Sequence, residues 1–209
     1  MVQFSQSFQE ELDLLMRWRR DVRRFRTDDV DEALLSTCLQ SFTHSPSVGL
    51  SEPWRLVQLK SKTSRDAALQ NFTSSNAQAL AGYEGEQAKL YGTLKLSGMQ
   101  EAPVQLAIFC DEQTDKGAGL GAGTMPEMRR YSVVAGIVQF WLTARAHGLG
   151  VGWVSILDPE QLKKDLGVSN DWVLVGYLCV GWPEANQDMP ELERAGWETR
   201  SADIALEVC

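Results

Sequence analysis

Histidine is nearly absent from this sequence: His44 and His147 are the only two among 209 residues. Neither stands in an H-E-x-x-H pattern, which leaves no credible metal site and gives a Ser–His–Asp triad little to draw on. Cysteine is sparse as well. Cys38, Cys110, Cys179 and Cys209 lie far apart with no C-x-x-C pair. That argues against a zinc knuckle or a disulfide framework and fits a reduced compartment. Basic residues are outnumbered: 20 Lys and Arg face 28 Asp and Glu, for a formal charge of −8. A general nucleic-acid coat needs the opposite balance. No apolar run approaches the ~20 residues of a membrane-spanning helix. The opening residues lack the basic start and apolar stretch of a secretion signal, so Asn71-Phe72-Thr73 reads as a chance glycosylation sequon. The expectation is a soluble, cytoplasmic protein with no nucleic-acid or membrane partner.

What is present suffices for one core. Hydrophobic residues make up 44% of the chain, with seven Trp and seven Phe. Apolar spacing predicts helices over 4–20, 29–42 (capped by Thr27 or Asp28), 65–80, 129–147 and 159–166. Buried or alternating runs predict strands over 54–60, 104–110, 151–157 and 172–180. The stretch 133–142 is apolar almost all round, broken mainly by Gln139, and asks for burial on every side, in a core or at a subunit interface. Residues 81–98 are polar and glycine-dotted, and suggest a mobile excursion or lid. Residues 184–209 are acidic and aperiodic, and suggest an extended arm that needs a partner surface. No internal repeat appears. The order gives a mixed α+β domain spanning 1–209, a small sheet sandwiched by helices.

The most informative segment is 17–26, which holds six arginines and one acid, Asp21. An acidic chain that gathers its strongest positive field into ten residues has reason to bind an anion. The guanidinium fork matches phosphate or carboxylate oxygens in pairs. A salt-bridged helix end accounts for the same residues, because cations at a helix C-terminus are favourable by themselves. Asp21 likewise has two readings. It is a structural ion-pair partner, or a carboxylate kept ionised and aimed at a substrate.

Two further segments carry weight only in company. Pro46-Ser47-Val48-Gly49, running to Pro53-Trp54, is a rigid loop whose N–H groups suit the edge of a planar ligand; simple turn chemistry explains it too. Gly148 to Ser155 allows a backbone to approach a flat ring closely, or merely makes a tight helix-to-strand turn. The glycine run 117–123 lacks G-x-G-x-x-G and reads as a flexible loop.

Taken together, Arg19-Arg20-Asp21-Val22-Arg23, Pro46 to Gly49 with Pro53-Trp54, and Gly150 to Ser155 resemble the flavin-binding nitroreductase family. The resemblance runs over roughly 18–197 and includes Lys95-Leu96, the 128–145 helix and Pro190 to Trp197. Ordinary members commonly carry Ser where this chain has Asp21. Asp21 together with Ser155 is similar to the branch of 5,6-dimethylbenzimidazole synthases. Ser51-Glu52 departs from the neutral pair that relatives often carry there, and puts substrate geometry in question.

The resemblance implies a nitroreductase-like fold with a mostly antiparallel central sheet, and a homodimer with FMN at the subunit interface. It implies that Arg19, Arg20 and Arg23 hold the phosphate and ribityl end. Asp21, Val22, Ser47, Leu96, Gly152 and Ser155 complete the binding set, and 81–98 serves as a lid. The implied reaction consumes reduced FMN and O2. The isoalloxazine is fragmented, ribityl C1′ becomes C2 of 5,6-dimethylbenzimidazole, the lower ligand of vitamin B12, and erythrose 4-phosphate leaves. Asp21 and Ser155 are the implied catalytic pair, and a separate flavin reductase is the implied supplier. The alternatives are an NAD(P)H-dependent nitroreductase or flavin reductase, a non-catalytic flavin carrier, and a plain interaction domain with a salt-bridged Arg helix.

Overall fold

Strands Trp54–Gln58 (β1), Val104–Asp111 (β2), Gly150–Val154 (β3) and Trp172–Gly181 (β4) form one sheet in the order β1-β2-β4-β3. Every pairing is antiparallel. The computed structural model describes residues 3–201 and 203–209. Central β2 is buried along nearly its whole length, as expected of a continuous apolar run with no polar face to show water.

Helices cover both faces. They are Gln6–Trp18 (α1), Glu32–Leu39 (α2), Lys62–Leu80 (α3), Gly85–Thr93 (α4), Met128–Ala146 (α5), Pro159–Leu166 (α6) and Glu191–Arg194 (α7). On one face Leu106, Ile108 and Leu178 meet Val133, Ile137 and Phe140 of α5. On the other, Phe109, Tyr177 and Cys179 meet Ala68 of α3 and Leu162 of α6. Each large side chain so buried contributes about 2 kcal/mol of hydrophobic stabilisation. The α+β sandwich expected from the element order is therefore the observed one.

Local chemistry explains most boundaries. Asp158 caps α6 by accepting from the N–H groups of Glu160 and Gln161, Pro159 opens it, and Gly167 ends it at φ +63. Two expectations need correction. The cap of α2 is Asp31, not Thr27 or Asp28, because Asp31 accepts from Ala33 and Leu34. Residues 81–98 are not irregular throughout but contain α4, with Tyr91 buried and its hydroxyl donating to Asn76. Helix α5, expected to be buried in a core or at a subunit interface, is covered by its own chain along one stripe. Its core stripe is sealed, while Tyr131, Val134 and Val138 stand exposed on the opposite stripe. Beyond β4, residues 184–197 fold back over their own chain: Glu184 N–H donates to Arg24 O, and Arg145 donates to Asn186. The expected sequon lies at a helix position where Asn71 is buried and bonded to the Asp158 backbone in both directions.

Candidate functional site

The basic segment leaves α1 at Trp18 and runs extended along the outer edge of β3. Val22 N–H donates to Val151 O at 3.0 Å, and Asp21 pairs with Val151 as an isolated bridge. Phe25, 1% exposed, anchors the segment in the core. Arg26 N–H donates to Trp182 O at 2.8 Å. The glycines of β3 make this approach feasible. A Cβ at Gly152 would overlap the Val22 carbonyl, and one at Gly150 would press into the Val22 side chain.

Extended backbone sends alternate side chains to opposite sides. Asp21 and Arg23 share one side. Asp21 Oδ1 accepts the Trp153 backbone N–H at 2.8 Å, and Asp21 Oδ2 accepts Arg23 Nε at 2.9 Å. Arg23 also donates to the Lys95 carbonyl at 3.1 Å, which ties the 81–98 segment to the Asp21–Arg23 pair; Leu96, the next residue, is half-buried. Lys95 itself pairs with Glu101. Arg20 and Arg24 face the other side: Arg20 donates to Asp188 O, and Arg24 pairs with Glu191 at 3.3 Å. A cavity of about 150 Å³ runs beside the segment, lined by Arg20, Asp21, Arg23, Arg24, Trp141 and Glu191 among others.

Much of the cluster is internally paired. Arg17 meets Asp13, Arg26 meets Asp28, and Arg23 meets Asp21. Arg19 and Arg20 differ, since no carboxylate bridge to either is formed among the described residues. Arg19 lies 4.5 Å over the Trp141 ring, whose Nε1 donates to Arg20 O at 3.3 Å. Burial pushes the pKa of both guanidiniums down, and the charge of Arg200 pushes it further. Asp21 acts in the opposite sense on Arg19, and Asp188 and Glu193 do so on Arg20, without reversing the shift. Sequence reasoning missed Arg200, which sits in an acidic tail, and Trp141, which reads as one more core aromatic.

Not all expected site residues meet within one chain. Ser47 Oγ accepts the Glu52 N–H at 3.1 Å, and the neighbouring Val48 N–H donates to Ser132 Oγ at 3.0 Å. Ser132 stands on α5 about 13 Å along the axis from Trp141. The Ser47 loop and Arg19 therefore sit toward opposite ends of α5. Ser155 is exposed just past the end of β3, on the same strand run as Gly152. Glu52 adopts φ +41 and pairs with Lys116 of the glycine-rich loop. Among the described residues no His/Cys/Asp/Glu cluster suits a metal ion.

The model of the nitroreductase family matches residues 16–182. The chain belongs to the nitroreductase family. Within that family it is 51% identical to a 5,6-dimethylbenzimidazole synthase of Rhodospirillum rubrum, over 94% of this chain and 93% of the relative. A second protein of that name, from Rhodobacter capsulatus, is 43% identical over 93% of this chain and 94% of its own length. The nitroreductase fold is seen also in a crystal structure of oxidized iodotyrosine deiodinase bound to FMN and 3-iodo-L-tyrosine. It superposes with a TM-score of 0.76 at 19% identity, covering 95% of this chain and 99% of the other.

Proposed function

We propose that this chain is a 5,6-dimethylbenzimidazole synthase that cleaves reduced FMN with O2: the dimethylbenzene ring, its two nitrogens and ribityl C1′ form the benzimidazole, C2′–C5′ leave as erythrose 4-phosphate, and the pyrimidine portion of the ring system leaves as a separate oxidised fragment. The observation that carries the reading is the setting of Asp21. Its carboxylate is held between the Trp153 N–H and Arg23 Nε, beside Arg19, which forms no salt bridge among the described residues. The strong relatives of that name support the same reading.

The residues fit FMN at its anionic end. Arg19, Arg20 and Arg200 crowd positive charge where a phosphate dianion would relieve it. Reduced FMN, as substrate, supplies the electrons that O2 takes up. Asp21, locked in orientation by its two hydrogen bonds, moves a proton at ribityl C1′. Gly152 lets Val22 lie against β3 and contributes its own backbone beside the ring, and Ser155 donates a hydrogen bond near it. Arg23 holds Asp21 and the ribityl end, Val22 and Leu96 flank the ligand, and residues 81–98 exclude water as a lid.

The 150 Å³ cavity is smaller than the ~300–1,000 Å³ of typical ligand sites. A homodimer completes it. Two α5 helices packed antiparallel through Tyr131, Val134 and Val138 bring the Ser47 loop of one chain to the Arg19 end of the other. The setting is the cytoplasm, with a separate flavin reductase delivering reduced FMN.

The test mixes purified protein with anaerobically reduced FMN, admits oxygen and separates the products by chromatography. 5,6-Dimethylbenzimidazole is the expected product. Full recovery of yellow FMN without it overturns the proposal.

A further inference from the structure

The segment 81–98 is fastened at two places. Near its end, Arg23 Nη1 holds the Lys95 carbonyl. Near its start, Tyr83 and Tyr91 stack at 4.8 Å, and Trp197 packs edge-on against both, at 5.5 and 6.1 Å. Trp197 belongs to the tail. Its N–H donates to Leu192 O at 2.9 Å, closing a turn through Gly196 at φ +76. The adjacent α7 is tied by Glu191 to Arg24 of the basic segment. Arg200 follows Trp197 by three residues, within the ~10 Å reach of an extended chain. Its charge acts on both Arg19 and Arg20.

We infer that Trp197 is a positioning residue: seated on Tyr83 and Tyr91, it fixes the 81–98 segment at one end of the site and Arg200 at the other. One aromatic contact thereby couples closure of the segment to occupation of the phosphate end. This rests on the reading that Arg19 and Arg20 take a phosphate. The seat of Trp197 and the Arg24–Glu191 pair fix the turn from which Arg200 extends. An anion held by Arg19 and Arg20 attracts Arg200, three residues beyond Trp197, and so favours the state in which Trp197 sits on Tyr83 and Tyr91.

The test uses the full chain and its Trp197→Ala and Trp197→Phe variants. Trypsin cleavage after Lys89, an exposed residue within α4, is followed by mass spectrometry without ligand, with inorganic phosphate and with FMN. FMN affinity is measured in parallel by fluorescence titration. In the wild type, phosphate and FMN each slow the cleavage. Trp197→Ala is cleaved about tenfold faster without ligand, loses the protection and binds FMN about tenfold more weakly, the scale of two aromatic pairs. Trp197→Phe restores both. Wild-type cleavage rates in Trp197→Ala, or failure of Phe to rescue it, overturn the inference. If the wild type binds no FMN, the functional reading fails, while the ligand-free cleavage comparison still decides whether Trp197 holds the segment.

Discussion

Asp21 Oδ1 accepts the Trp153 backbone N–H at 2.8 Å, so a side chain occupies a position that the carbonyl of a further strand would otherwise take. The edge of β3 is thereby capped and the carboxylate is immobilised at once. Its second oxygen is held by Arg23. A group fixed in this way has one orientation to offer, which suits a proton-moving role better than a flexible surface acid does.

Asp21→Asn separates charge from shape. Its amide oxygen still accepts the Trp153 N–H, while the base is gone and Arg23 Nε loses its acceptor. The expected result is FMN binding within a few-fold of wild type and product formation reduced at least about 100-fold, the usual scale of general acid–base catalysis. Flavin titration and chromatography read the two effects separately. Loss of binding in parallel with turnover would make Asp21 a structural residue.

Gly152→Ala tests the close approach of the basic segment to β3. The added Cβ overlaps Val22 O, so the 21–22 segment must shift. We expect a loss of about 1–3 kcal/mol in stability, as for overpacking in a tight site. FMN binding weakens with it. Thermal unfolding with and without FMN measures both; an unchanged melting temperature would mean that the segment moves freely.

Arg19→Ala removes one of the two guanidiniums of the segment that form no salt bridge among the described residues. Loss of a hydrogen bond to a charged group is worth ~1.5–3 kcal/mol, so FMN affinity falls about 10- to 100-fold. Riboflavin, which has no phosphate, binds the variant and the wild type alike. Equal weakening of both ligands would place the ring, not the phosphate, near Arg19.

The exposed stripe of α5 predicts association. A charge inside an apolar interface is costly. Val138→Glu, at a position 42% exposed in the single chain, is expected to yield a folded monomer by sedimentation, with FMN binding lost. A dimeric Val138→Glu protein would move the interface elsewhere.

Thiol chemistry reads the sheet. Burial pushes the Cys110 and Cys179 thiols up to about 12 and raises that of Cys38, whereas Cys209 is exposed. A disulfide reagent at pH 8 should label Cys209 alone in the native chain and all four cysteines after denaturation. Prompt labelling of Cys179 would show that β4 opens readily.

The residues that spell out local rules were legible. Pro159 and Gly167 delimit α6, the run from Val104 marks β2, and the ordered set of Arg19 to Arg23, Pro46 to Trp54 and Gly150 to Ser155 points to the family before any coordinate is known. What escaped depends on distant partners. Helix α4 is held by Trp197, far along the chain, so its own polar sequence gives little sign of order. The apolar circumference of α5 shows that Val134 and Val138 need cover, but not whether their own chain provides it. Arg200 joins Arg19 and Arg20 only after the tail has folded back, and nothing in its acidic surroundings distinguishes it. Asp31 outcompetes Thr27 and Asp28 as a cap because the first turn begins later than the apolar spacing suggests.

Isotope tracing tests the central claim most directly. Reduced FMN carrying carbon-13 at ribityl C1′ is mixed with the protein under anaerobic conditions, oxygen is admitted, and the benzimidazole fraction is examined by NMR. The account predicts 5,6-dimethylbenzimidazole labelled at C2, with unlabelled erythrose 4-phosphate alongside it. Intact labelled FMN after complete reoxidation, or a benzimidazole without label at C2, would contradict it.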